Sequence, residues 1–218
     1  MQIGYWGIKG VAEKARLLAA YLHQEYEEYN PASMEEWQGR KFTLGLEFPN
    51  LPYLIDGDVK LTESKALAYY LVYKHKKEEL LGNDTLEKAQ VQLLIGVLDD
   101  INTAVGAVGK DADPEAALLK QNESVLRPKL GYLEKFLGEK EFLVGHLTLA
   151  DFFFYTVVLY IDVLHKSLEK DSVLNEFPLL RKWEQKFTAI PEIHDYLQTD
   201  KGKRPFLPEY FLPKPKAQ

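Results

Sequence analysis

Hydrophobic and polar positions change rhythm once along this chain, near residue 80. Before that point, short apolar runs alternate with helical spacing. Gln2–Ile8 is rich in aromatics and isoleucine and stops before Gly10, which predicts a strand. Val11, Ala15, Leu18 and Leu22 recur at helical spacing through His23, with Lys14 and Arg16 off that face, which predicts an amphipathic helix. Glu25–Tyr29 reads as an edge-like strand, and Pro31–Arg40 as a loop or short helix carrying Trp37. Leu51–Asp56 and Val59–Thr62 read as two strands joined at Asp56–Gly57, a hairpin signal. Ser64–His75 is helical. The order β-α-β-loop-β-β-α builds a small α/β sheet covered by helices.

Beyond residue 80 the spacing is helical throughout. Leu86–Val108, Pro114–Leu137, Thr148–Leu164, Phe177–Phe187 and Pro191–Leu197 all carry it. Pro114 suits a first helical turn and Gly138 a helix end. Thr148 and Asp151 stand at capping-box spacing before Phe152–Phe154. These segments predict an all-helical bundle. The charge run Lys74–Glu79 and the turn at Gly82–Asp84 read as a solvated linker, so the expected domains are 1–82 and 83–218. From Lys201 onward the chain is rich in proline and basic residues and reads as irregular.

Composition narrows the chemistry. The 218 residues carry a net charge of −6, a poor basis for wrapping nucleic acid or lying on anionic lipid. There is no cysteine, which removes disulfides, thiolate metal sites and a protein thiol nucleophile. Phe152–Leu164, taken as the longest apolar stretch, is too short for a membrane span. No basic segment followed by an apolar one opens the chain, so no signal peptide and cytoplasmic residence are expected. His23, His75, His146, His165 and His194 show no metal-ligand spacing, and no metal is expected.

Three local motifs could carry chemistry, though each has an ordinary structural reading. Phe48-Pro49-Asn50-Leu51-Pro52-Tyr53 opens a strand with two prolines. Leu51–Pro52 is a candidate cis bond that would present the Leu51 backbone to an extended peptide, or a plain loop-to-strand turn. At Leu61-Thr62-Glu63-Ser64 a strand gives way to a helix whose N-terminus suits a carboxylate, or Ser64 is a simple cap. Tyr5 ends a strand and aims into a cleft, or is a half-buried strand aromatic.

Together these motifs resemble the mu class of cytosolic glutathione transferases. Tyr5-Trp6-x-Ile8-x-Gly10, Trp37-x-x-x-Lys41-Phe42, Leu44-Gly45-Leu46-x-Phe48 through Tyr53, Ile55-Asp56-Gly57 and Leu61 through Ser64 match in order and spacing. Asp100, Thr148-x-x-Asp151 and Phe177-Pro178 match in the second half, and the likeness covers nearly all of the chain except the tail. It implies a thioredoxin-like N-terminal domain, an all-α C-terminal domain holding the electrophile pocket, and a homodimer that uses glutathione as cosubstrate. It further implies that Tyr5 donates to the glutathione sulfur. Trp6, Trp37 and Lys41 would hold the glycyl carboxylate, and Leu51 the cysteinyl backbone. Glu63 and Ser64 would take the γ-glutamyl end, and Val11 and Asn50 would also line the site. Asp100 would reach glutathione on the partner chain, and Phe48 would be the dimer key.

The sequence departs from that pattern in several places. Glu63 stands in place of glutamine, Val11 in place of leucine, and Lys110 in place of an assisting tyrosine. The loop from Asn30 to Glu36 is short, and the proline-rich tail does not match. The expected activity is conjugation of glutathione thiolate to hydrophobic electrophiles. Its rivals are a sigma-type glutathione-dependent isomerase resembling a prostaglandin synthase, a non-catalytic binding or structural member of the family, and a scaffold domain.

Overall fold

The computed structural model describes residues 1–215, so the last three residues of the tail lie outside the description. The chain divides into two compact units. One comprises Met1–Glu78 together with Pro191–Pro205; the other comprises Glu79–Ile190 and the residues from Phe206 on. This differs from the expected single boundary at 82/83, and the side chains of 191–205 give the reason. Tyr196 donates to Glu13 Oε2 at 3.1 Å, Arg204 pairs with Glu28 at 2.7 Å, and the Lys9 N–H donates to Pro205 O at 2.9 Å.

The first unit is built on strands β1 Gln2–Gly4, β2 Glu27–Tyr29, β3 Tyr53–Asp56 and β4 Val59–Thr62. Their order in the sheet is β2-β1-β3-β4, with β1 parallel to β2 and antiparallel to β3. Asp56 pairs with Val59 across a two-residue turn in which Gly57 has φ of 59°, the backbone that such a hairpin needs. The helices of the chain are α1 Glu13–Tyr21, α2 Met34–Arg40, α3 Ser64–Lys74, α4 Thr85–Val108, α5 Pro114–Gln121, α6 Arg127–Leu137, α7 Leu149–Ser167, α8 Pro178–Thr188 and α9 Pro191–Gln198. Helices α1, α2, α3 and α9 belong to the first unit, so the expected thioredoxin-like arrangement is present. Ser33 caps α2 through the Glu36 N–H.

Two expectations for α1 are corrected. Val11 lies in a short 3₁₀ turn, Gly10–Ala12, and is 37% exposed. Lys14 and Arg16, assigned to the polar face, are buried with Glu13. Arg16 is satisfied by Glu28 at 2.7 Å and by the carbonyl of Ile8 at 2.7 Å, so its burial is matched by partners that the spacing of apolar residues does not reveal.

The second unit is helical. The expected helical segment 114–137 is present as α5 and α6 joined without a gap through a π turn, Asn122–Leu126, just ahead of Pro128 in the first turn of α6. Proline has no N–H to give the preceding turn, which accounts for the local widening to a π turn. The charge run Lys74–Glu79 is largely exposed, as expected, and the 3₁₀ turn Glu78–Leu81 at its end buries Leu80 and Leu81. Helix α4 is longer than the 152–164 stretch and has the length and composition of a membrane-crossing helix. Its buried face of Val91, Leu94, Ile95, Leu98, Ile101, Val105 and Val108 accounts for that composition as a core helix. Thr148 and Asp151 form a full capping box at α7, and buried Asp151 also accepts from Leu143 N–H at 3.1 Å and Trp183 Nε1 at 2.9 Å.

Candidate active site

The first unit holds all of the expected site residues except Asp100. Tyr5 follows β1 directly, and its N–H still donates to Tyr29 O at 3.0 Å. Asn30 Nδ2 holds the Tyr5 carbonyl at 2.8 Å. The side chain lies over the turn that begins α1. Gly10 permits this: it has φ of 45°, and a Cβ there would stand 2.7 Å from the Tyr5 hydroxyl oxygen. The Val11 N–H donates to that oxygen, and the Arg16 guanidinium lies 5.8 Å from the ring centroid. Burial nevertheless dominates and holds the Tyr5 hydroxyl above its ordinary pKa, against the pull of Val11 and Arg16. Tyr5 is therefore a neutral proton donor at neutral pH, positioned at the positive end of α1.

An aromatic wall stands under the next part of the site. Trp37 of α2 stacks on Tyr53 at 6.1 Å, and these two residues with Leu46 form a buried cluster. Trp6, Leu44 and Leu51 pack against it. Tyr53 in turn requires Gly4, since a Cβ at that position would fall 2.0 Å from its ring. Lys41 lies just past α2, with its Nζ 4.7 Å from the Phe42 ring. The Leu51–Pro52 peptide is cis. Asn50 and Phe48 are exposed, Phe48 to 75%.

Helix α3 opens without a side-chain cap. Its N-cap is Glu63 at φ of 72°, a left-handed conformation that costs a non-glycine residue about 1–3 kcal/mol. The first amides of the helix are thus uncapped, and an anion is favoured there. Lys14 reaches this end from α1, with its Nζ 3.3 Å from Ser64 Oγ. The pattern of apolar residues gave no sign of this lysine; only α1 packing on α3 brings it here. Asp100 is the one expected residue that stands elsewhere. It lies on α4 in the second unit, exposed, and is paired with Lys129 at 2.8 Å. Lys110 follows the end of α4 and is exposed.

Family models agree with this geometry. Residues 1–73 match the glutathione S-transferase N-terminal domain and 99–200 the glutathione S-transferase C-terminal domain. The class-mu 26 kDa glutathione S-transferase of Schistosoma japonicum is 40% identical over 91% of this chain and 88% of its own length. Human glutathione S-transferase Mu 4 is 33% identical over 99% of this chain and 94% of its own. The solved structure of the glutathione S-transferase Blo t 8 superposes with a TM-score of 0.85 at 30% identity, covering 96% of this chain and 98% of that one. With both halves matched and relatives alike over most of their length, the chain belongs to the glutathione S-transferase family and is mu-like within it.

Proposed function

We propose that this protein conjugates the thiolate of glutathione to soft, hydrophobic electrophiles. The observation that carries the reading is the buried Tyr5 side chain, whose hydroxyl lies over the turn at Gly10 and Val11 that begins α1. A phenol that keeps its proton can donate to a sulfur anion and lower the pKa of the thiol. With no cysteine in the chain, the nucleophile is the cosubstrate's, and the protein's task is to orient and ionise it.

In this reading glutathione lies along the first unit. Its glycyl carboxylate meets Trp6, Trp37 and Lys41, its cysteinyl backbone meets Leu51, and its γ-glutamyl end meets Glu63 and Ser64, with Val11 and Asn50 alongside. Two copies associate, with Phe48 as the aromatic key and Asp100 turned to glutathione on the partner. No metal takes part, and the protein works in the cytoplasm. The exposure of Phe48 supports the second copy, since a large aromatic in water gains from burial.

The test is a conjugation assay with glutathione and a chlorodinitrobenzene, comparing wild type with Tyr5→Phe. The expected result is turnover that falls about tenfold or more in the variant, a loss of ~1.4 kcal/mol per tenfold. Turnover that ignores the substitution contradicts the assignment. A second reading, isomerisation, draws on the likeness to rat hPGDS, solved with a quinoline, at TM-score 0.78 and 28% identity. Glutathione binding without conjugation would favour it.

A further inference from the structure

From Lys201 on, the sequence reads only as the start of an irregular basic tail, yet residues 201–205 close on the loop that follows Tyr5, all within the first unit. Gly202 lets the chain turn back: its N–H donates to Thr199 Oγ1 at 3.1 Å, and a Cβ there would stand 2.1 Å from Tyr196 O. The Lys9 N–H donates to Pro205 O at 2.9 Å. Arg204 pairs with Glu28 Oε2 at 2.7 Å, and its Nη2 donates to Asn30 Oδ1 at 3.4 Å. The other oxygen of Glu28 accepts from Arg16 Nε at 2.7 Å. Glu28 is thus a carboxylate only 6% exposed, held between two guanidiniums whose charges offset its desolvation.

Both arms of this bridge end on the backbone around Tyr5. Through Arg16 it reaches the carbonyls of Ile8 at 2.7 Å and Lys9 at 3.2 Å. Through Asn30 it reaches the Tyr5 carbonyl at 2.8 Å. That backbone sets where the Tyr5 hydroxyl lies over the turn at Gly10 and Val11. We propose that Arg204 is a positioning residue for Tyr5, fixing Glu28 and Asn30 and through them the loop from Tyr5 to Lys9. The inference rests on the glutathione reading above and adds to it a part of the chain that the sequence motifs leave out. Arg204 touches no reacting atom. Without it, Glu28 keeps only Arg16 and is free to draw that guanidinium off the loop carbonyls, and Asn30 loses a donor. The Tyr196–Glu13 and Lys9–Pro205 hydrogen bonds remain, so the segment stays docked. A reacting group displaced by a fraction of an ångström loses rate without losing the fold.

The experiment is the pH titration of bound glutathione, followed by thiolate absorbance, in Arg204→Met and Arg204→Gln, each alone and combined with Tyr5→Phe. In Arg204→Met the bound thiol pKa is expected to rise by about half a unit or more above wild type, with conjugation at pH ~7 falling about threefold or more. Arg204→Gln, which stays polar, should show a rise of the same sign and decides the matter where the methionine variant does not fold. On the Tyr5→Phe background neither substitution should move the bound pKa further, because the group it positions is gone. An unchanged bound pKa in a folded Arg204 variant, or an equal rise on both backgrounds, overturns the inference while leaving the role of Tyr5 intact. A bound pKa that Tyr5→Phe alone does not move overturns both.

Discussion

The residues that define this site owe their properties to burial more than to their neighbours in sequence. Tyr5 is legible as the end of a strand, but the burial that raises its hydroxyl pKa above the ordinary value is not something spacing reports. Glu13 shows the same effect more strongly. Burial pushes its carboxyl up to about 7, against the opposing pull of Arg16 and Lys9 and the Tyr196 hydrogen bond. The consequence for stability has a definite sign. Between the unfolded value of 4.5 and about 7 the folded chain holds a proton that the unfolded chain has lost. Glu13 therefore costs nothing below that window, and stability falls as pH rises through it, levelling off above. Glu13→Gln keeps an oxygen for the Tyr196 hydroxyl and removes the titration. Its stability relative to wild type should rise by at most about 3 kcal/mol between pH ~5 and ~8, read by urea denaturation at each pH. A constant difference across that range would place the ionisation elsewhere. Lys14 and Arg16 lie off the apolar face in sequence yet are buried, because polar residues whose partners come from distant elements look like a solvent face until those elements are in place.

At the level of elements, the turn and cap chemistry was legible where one residue type dictates the backbone. The Gly57 hairpin and the Thr148–Asp151 box both follow from local rules. Element lengths were less legible. Proline at 128 goes with a π turn that helical spacing alone does not show, and Pro191–Pro205 joined the first unit through side chains no periodicity could assign. Asp151 does more than cap α7. One carboxylate accepts from Thr148 N–H at 2.8 Å and Thr148 Oγ1 at 3.0 Å as well as from Leu143 and Trp183. Asp151→Ala leaves several buried donors without an acceptor. It should destabilise the protein by about 3 kcal/mol or more, seen as a lower denaturation midpoint. A loss under about 1 kcal/mol would mean that water or a rearranged loop replaces the carboxylate.

For the molecule as a whole, the two-part organisation and the thioredoxin-like sheet were readable because the apolar rhythm changes once and the turn residues fall at fixed offsets. The site was readable chiefly through motifs in register, since Tyr5, Leu51 and Ser64 each have an ordinary structural reading alone. Association is the property of the whole that single-chain geometry bears on least directly. Phe48→Ala should shift the protein from dimer to monomer in sedimentation velocity at micromolar concentration, and an unchanged dimer would remove Phe48 from the interface. The central claim is that Tyr5 ionises the thiol of glutathione. The measurement that addresses it most directly is the pH titration of bound glutathione, followed by the ultraviolet absorbance of its thiolate, in wild type and Tyr5→Phe. The thiol should titrate at least about one unit below its free value of ~8.5 in wild type and return towards that value in the variant. The same bound pKa in both proteins would contradict the account.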